Sequence, residues 1–274
     1  MRGRKSPFGA HIVLALVTLL MIGPLAWMLT TSLKSEGELA SRPYRLLPSE
    51  FQPENYRNAL AAMPFARYLT NSLLLGVGSV LGTVVSCSVV AYGFSRLEWP
   101  GRDWVFGILI ATMLLPWQAT MIPRFLLLRE LGLYNSLWAL ILPTFCGEAF
   151  YIFLLRQFFL TIPRELIDAA RIDNCGEWTI FSRIVIPLSM PALATVALFQ
   201  FIAVWNDYGG PLLYLSDPQK FPLAYGLEQF VSAHSSETHL LMAAALMFTL
   251  PIVILFLLTQ RTFLRGIATT GLKG

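Results

Sequence analysis

Charge is what this sequence has least of. Only 13% of its 274 residues are Asp, Glu, Lys or Arg, while 55% are hydrophobic, and the mean hydropathy is +0.61. An ordinary soluble domain carries about 25% charged residues. The 20 Lys+Arg and 16 Asp+Glu here are too few to cover a water-facing surface. The shortage is concentrated: residues 6–33, 68–95, 104–123, 131–147, 184–206 and 240–260 contain no charged side chain. A helix that crosses the hydrocarbon core needs about 20 mainly apolar residues. These runs exclude a soluble enzyme and predict an all-α polytopic membrane protein. They are continuous rather than alternating, which argues against a transmembrane barrel.

Other scarcities exclude more. There are three cysteines, Cys87, Cys146 and Cys175, far apart, and they read as free thiols used in packing. The three histidines, His11, His234 and His239, have no ligand spacing, so no metal site is expected. The net charge of +4 comes from scattered residues with no basic patch interleaved with aromatics, so nucleic acid is not an expected partner. No Gly-x-x-x-x-Gly-Lys-Ser/Thr run occurs, so the chain has no phosphate cradle of that kind. No tandem repeat or low-complexity segment is visible.

What is present is six spans, predicted at 10–31, 69–94, 104–122, 137–158, 188–208 and 240–260. They form one transmembrane domain over 1–274: a first span, then a core of five within 69–260. Arg2, Arg4 and Lys5 followed by an apolar stretch resemble a signal peptide. The stretch runs to Leu33, however, and no small-x-small cleavage site follows, so it reads as a retained first span. Lys and Arg are more frequent in the segments that lie inside when both termini are cytoplasmic, which favours that orientation in a plasma membrane. Pro24, Pro116, Pro143 and Pro251 fall within spans and are expected to kink them. Gly78, Gly82 and Ser86 recur every four residues, a face on which another helix can approach closely.

The most informative stretch is 162–188. Pro163 suits a first helical turn. Glu165 and Asp168 complement that helix's dipole, and Ala169 and Ala170 offer a smooth surface for a groove. Asn174 and Gly176 supply a turn where positive φ is tolerable. A second helix with Glu177, Trp178 and Phe181 then leads through Pro187 into the fifth span. A short helix on the inner face, held between two spans, is a lever for a cytoplasmic partner.

This stretch resembles the EAA motif of ABC-importer permeases, Glu-Ala-Ala-x-x-Asp-Gly-Ala followed by Phe, Ile and Pro-Leu. Asp168, Ala169 and Ala170 fill the first three positions, Asp173 the Asp position, and Phe181, Ile184, Pro187 and Leu188 follow at the family's spacing. Asp168 replaces Glu, and Asn174 stands where the family usually has Gly. The stretches at 153–159, 205–208, 226–230 and 271–274 look like the carbohydrate-uptake branch, which includes maltose, oligosaccharide and glycerol-phosphate permeases.

The resemblance implies a type I importer permease: a half-pore paired with a second permease, two cytoplasmic ATPases and an external sugar-binding protein or lipoprotein. ATP and Mg would be bound by the ATPases and not by this chain. Glu165, Asp168, Ala169, Ala170, Asp173, Asn174 and Gly176 would form the ATPase contact, and alternating access would carry a sugar inward. The competing readings are a secondary transporter, which wants inverted repeats and several buried ionisable groups, and a membrane-embedded lipid-modifying enzyme, which wants clustered acids, His or metal ligands at one face.

Ionisable groups at membrane depth are costly and usually face a cavity or a partner. Glu148 is expected in the middle of the fourth span, and Asp207 at the outer end of the fifth beside Trp205, Asn206 and Tyr208. With Gln118 they are the candidate substrate-pathway residues, since a sugar is held by an aromatic face and side-chain hydrogen bonders; Asn71 is a further uncharged candidate. An acid in the pathway would suit a substrate bearing a cation, such as an amino sugar or a choline ester. Glu148→Gln in the assembled transporter should therefore lower uptake of a cationic sugar relative to a neutral one. Unchanged uptake and preference would contradict that role.

Overall fold

The computed structural model describes residues 7–42, 44–233 and 237–271. Arg2, Arg4, Lys5, His234 and the closing residues 272–274 lie outside the described residues. Among the described residues the regular elements are all helical. In chain order they are α1 (Pro7–Ser32), α2 (Glu36–Ser41), α3 (Glu54–Ala62), α4 (Phe65–Arg96), α5 (Arg102–Ala111), α6 (Trp117–Glu130), α7 (Trp138–Ile141), α8 (Ala149–Thr161), α9 (Arg164–Ile172), α10 (Glu177–Ile180), α11 (Ile186–Leu188), α12 (Met190–Trp205), α13 (Gly209–Tyr214), α14 (Leu223–Ala233) and α15 (Thr238–Gly271).

Four helices are long and apolar enough to cross a membrane: Gly9–Ser32, Phe65–Arg96, Trp138–Thr161 and Thr238–Gln260. Two further candidates are bent pairs. Arg102–Leu114 and Trp117–Glu130 meet at 100°, and Glu177–Leu188 and Met190–Trp205 at 77°. The described residues thus hold between four and six spans.

The third predicted span, 104–122, is not one helix. Pro116 has no N–H to donate, and its ring pushes the preceding residue out of the helical region. Leu115 is accordingly extended, at φ −77° and ψ 118°. The fourth, 137–158, is interrupted as well. A 3₁₀ stretch, Leu142–Cys146, begins at Pro143's turn, Gly147 takes φ +83°, and Glu148 is extended at φ −127° and ψ 129°. Pro24 and Pro251, by contrast, lie inside continuous helices.

The chain divides into two compact units, Met1–Phe65 with Gly226–Pro251, and Ala66–Tyr225 with Ile252–Gly274. In the first, α1 is a 26-residue helix, about 39 Å long, whose apolar window is entirely exposed. Its carboxyl end is held by polar side chains. Asn55 Nδ2 donates to the carbonyls of Ser32 and Lys34 at 2.9 and 2.8 Å, and Tyr56 shares a 2.8 Å hydrogen bond with Ser32. Lys34 is fully buried; its ammonium donates to the Arg45 carbonyl and lies 5.1 Å from the centre of the Trp27 ring. Here α3 packs on α15 through Ala59, Ala243 and Ala244.

In the second unit α4 is the centre of packing. The predicted small-residue face is used inside the chain: Gly78 faces Ile141, Gly82 faces Thr144 and Phe145, and Ser86 donates to the Thr144 carbonyl at 3.1 Å. The packing role expected of the cysteines holds for Cys87, which is buried, and for half-buried Cys175, which packs against the core; Cys146 is exposed. Asn71, a candidate pathway residue, donates to the carbonyls of Gln219 and Phe221 at 2.9 and 3.0 Å. Ser72 accepts from the Leu223 amide at 2.8 Å. On the same segment Asn135 accepts from the amides of Ser216 and Asp217. Three polar side chains therefore staple 215–223.

A Cβ on Gly82 would stand 2.7 Å from Phe145 Cδ2, whereas one on Gly93 would meet nothing within 4 Å. Overpacking costs about 1–3 kcal/mol. Gly82→Ala should lower the melting temperature of the detergent-purified protein, and Gly93→Ala should leave it equal or higher. The reverse order would contradict this packing.

Candidate functional site

The segment 162–177 forms because each of its ends has a stop signal. Ile162 and Pro163 are extended, so α8 ends at Thr161 and α9 begins at Arg164. Pro163 thus precedes the first turn instead of lying in it. At the other end the chain closes in a Schellman turn. The Cys175 amide donates to the Ala170 carbonyl at 2.9 Å and the Asn174 amide to the Arg171 carbonyl at 3.0 Å. Asn174 carries the left-handed conformation at φ +55°, as its short polar side chain permits. Gly176 does not need its freedom: it is extended at φ −68° and starts the helix at Glu177.

One face of this segment is core and the other is bare. Ile167 and Ala170 are buried with Tyr92, Phe94, Phe159, Ile162, Ile180 and Phe181. The expectation that Ala169 and Ala170 both face a partner is corrected: Ala170 is 7% exposed and points inward, because 170 lies on the same helical face as 167. Glu165, Leu166, Asp168, Ala169, Ile172, Asp173 and Asn174 are exposed, Ile172 at 80% and the neighbouring Trp178 at 69%. Exposed apolar groups on a small helix flanked by carboxylates make a surface suited to a partner.

The segment is fastened to the spans by residues that spacing did not flag. Arg96, at the end of α4, is buried and donates from one guanidinium nitrogen to the carbonyls of Phe159 and Ile162. These carbonyls, at the end of α8 and just past it, carry the negative end of its dipole. Arg156 on α8 donates in return to the Phe94 carbonyl at 3.2 Å, lies 4.1 Å from the centre of the Phe106 ring, and approaches Asp103 at 3.9 Å. Arg171 donates to Glu177 at 2.9 Å, stands 3.6 Å from Asp168, and reaches the Arg96 carbonyl at 3.4 Å. The bond to Glu177 holds the Arg171 guanidinium above its ordinary pKa. The one available signal was a basic residue in the last turn of α4, which complements a helix dipole but does not reveal its partner.

The expected substrate-pathway residues have different surroundings. Gln118 is exposed in the first turn of α6, and its neighbour Trp117 lies against Gly209, which starts α13 just past the turn that ends α12. In that turn Asn206 is exposed and donates to the Ile202 carbonyl at 2.8 Å, and half-buried Asp207 accepts from the Gly210 amide at 3.0 Å. These two elements therefore come together. Trp205 does not share their exposure: it is 1% exposed and stacks on Phe201 at 5.3 Å. Glu148 is exposed at the start of α8, and its amide donates to Cys87 Sγ at 3.3 Å. Among the described residues no group of three His, Cys, Asp or Glu forms a metal site.

Comparison with known proteins agrees with this architecture. The family described as "Binding-protein-dependent transport system inner membrane component" matches residues 61–269. The polygalacturonan/rhamnogalacturonan transport system permease protein YtcP of Bacillus subtilis is 33% identical over 97% of this chain and 96% of its own length. The arabinooligosaccharides transport system permease protein AraQ of Halalkalibacterium halodurans is 30% identical over the whole of both chains. A crystal structure of a bacterial ABC transporter involved in import of the acidic polysaccharide alginate contains a chain with the same fold, at TM-score 0.81 and 26% identity, covering 96% of this chain and 99% of that one. The chain belongs to the family of binding-protein-dependent transport system inner membrane components. It is a permease of the carbohydrate branch of ABC importers, a transport component and not an enzyme.

Left-handed backbone costs an ordinary L-residue about 1–2 kcal/mol. Asn174→Gly should therefore keep the melting temperature of the purified protein, and Asn174→Val should lower it. Equal effects of the two would show that the turn is not required.

Proposed function

We propose that this chain is one half of the membrane pore of a carbohydrate importer, and that it crosses the membrane six times with both termini in the cytoplasm. The four candidate spans and two bent pairs support six crossings. A single domain over 1–274 would comprise the first span and the core of five. The fully exposed apolar window of α1 fits contact with lipid or with a second permease. The remaining partners are two cytoplasmic ATPases, which bind ATP and Mg, and an external sugar-binding protein.

The observation that carries this reading is the two-faced segment Arg164–Ile172. Its inner face packs through Ile167 and Ala170 against residues of α4 and α8, and Arg171 donates to the Arg96 carbonyl at the end of α4, while Glu165, Leu166, Asp168, Ala169, Ile172 and Asp173 stand outward. Ala170 would act from behind this surface by packing, and exposed Asn174 and Gly176 beside it, Asn174 by closing the turn and Gly176 by starting the next helix. A helix presented in this way can take a push from a protein in solution and pass it to helices in the membrane.

The substrate is a sugar or an oligosaccharide; the relatives named for polygalacturonan, rhamnogalacturonan and arabino-oligosaccharides support that class. Gln118, Asn206 and Asp207 would meet its hydroxyls, with Trp205 backing their turn through Phe201. Glu148 stands at the break between the 3₁₀ stretch and α8, where it would select for or against charge on the sugar.

The ATPase contact is tested by Asp168→Lys. The side chain is exposed and paired only at 3.6 Å with Arg171, so the fold should survive. Recovery of the ATPase with the tagged permease should fall, and ATP-driven uptake with it. Full recovery and full uptake would contradict the reading.

A further inference from the structure

The segment α9 follows α8 directly through Ile162 and Pro163, so those two helices are joined by the backbone. Its connection to α4 is different, because some 75–85 residues of chain separate the groups that meet there. Apolar packing against Tyr92 and Phe94 is one link, but it is non-directional and tolerates sliding. The directional link is polar. The Tyr92 hydroxyl donates to one oxygen of the Glu177 carboxylate, the other oxygen accepts from Arg171 Nε, and Arg171 Nη2 reaches back to the carbonyl of Arg96. Tyr92 and Arg96 lie one turn apart on one face of α4, so the chain of bonds closes on the helix where it starts.

We infer that Tyr92, Glu177 and Arg171 are positioning residues that latch the cytoplasmic segment to the inner end of α4, so that the two move as one body. The inference rests on the reading of α9 as the ATPase contact and adds to it the route by which motion reaches the spans. Glu177 is the shared member. It starts the second inner helix, which runs into the fifth span through the bend at Ser189, so one carboxylate ties α4, α9 and α10 together. Tyr92 is held in place on its other side by the Phe181 ring, with centroids 5.2 Å apart. Charge-assisted hydrogen bonds of this kind are about twice as strong as neutral ones and fix orientation as well as distance.

The test uses the assembled transporter in lipid nanodiscs, with encoded spin-labelled residues at exposed Arg164 on α9, outside the proposed ATPase-contact set, and exposed Val89 on α4. The distance distribution is measured without nucleotide and with a non-hydrolysable ATP analogue and Mg. The unsubstituted protein should give one narrow distribution in both states. Tyr92→Phe, which removes only the hydroxyl, should match it without nucleotide and widen or shift it by about twofold in width with nucleotide. Should Tyr92→Phe fail to assemble, Arg171→Ala at an exposed side chain is expected to do the same. A distribution that shifts with nucleotide in the unsubstituted protein, or variants that behave like it, would overturn the latch. Failure of the underlying reading is separate: Asp168→Lys would then leave recovery of the ATPase and uptake unchanged, whatever the distance distributions show.

Discussion

A peptide group in hydrocarbon has no water to bond, and everything in this chain depends on that constraint. Straight helices meet it by themselves. Wherever a helix stops or breaks, side chains must take over, and they do so at particular places. Arg96 bonds the terminal carbonyls of α8, Arg156 bonds a carbonyl near the end of α4, and Cys87 accepts from the amide of Glu148 at the interruption before α8. Asn71 and Ser72 perform the same task for the irregular stretch 215–223. Other polar side chains on the spans, such as Thr18, Thr70, Ser88 and Thr249, bond carbonyls three or four residues back in their own helices.

That division of labour explains how the proposed contact surface is held. A segment that presents Leu166, Ile172 and Trp178 to its surroundings would be a liability if it were loose. Here it is anchored by Ile167 and Ala170 in the core, closed by the left-handed turn at Asn174, and hydrogen-bonded to α4 through Arg171 and Glu177. A rigid helix with a bare outer face can transmit force, whereas the same residues on a mobile loop would absorb it.

Much of this is legible in the residues themselves. The absence of charge locates the spans, since few other structures tolerate twenty uncharged apolar residues in a row. The small residues at 78, 82 and 86 mark a close helix contact, and Asn174 marks a turn. The interruptions at Leu115 and Gly147 are only half legible: the prolines stand in the sequence, but composition does not say whether a helix accommodates a proline, as it does Pro24, or ends before it, as it does at Pro116. The inward turn of Ala170 was hidden because two adjacent alanines look alike until the helix phase is known. Trp205 was ambiguous for a related reason, since an aromatic residue at a span end suits an interface, a sugar or the core equally well, and here it is core. The partners of Tyr92 and Arg96 were not visible at all, because pairing across 63–85 residues leaves no local pattern.

The central claim is that the outer face of α9 is the contact with a cytoplasmic ATPase. It is tested most directly by a photo-crosslinking residue encoded at Ile172 in the assembled transporter. An adduct with the ATPase is predicted from Ile172, and none from buried Ala170, a position used only as an inward-facing control. Labelling of lipid or of the second permease from Ile172, with the ATPase unlabelled, would contradict the account.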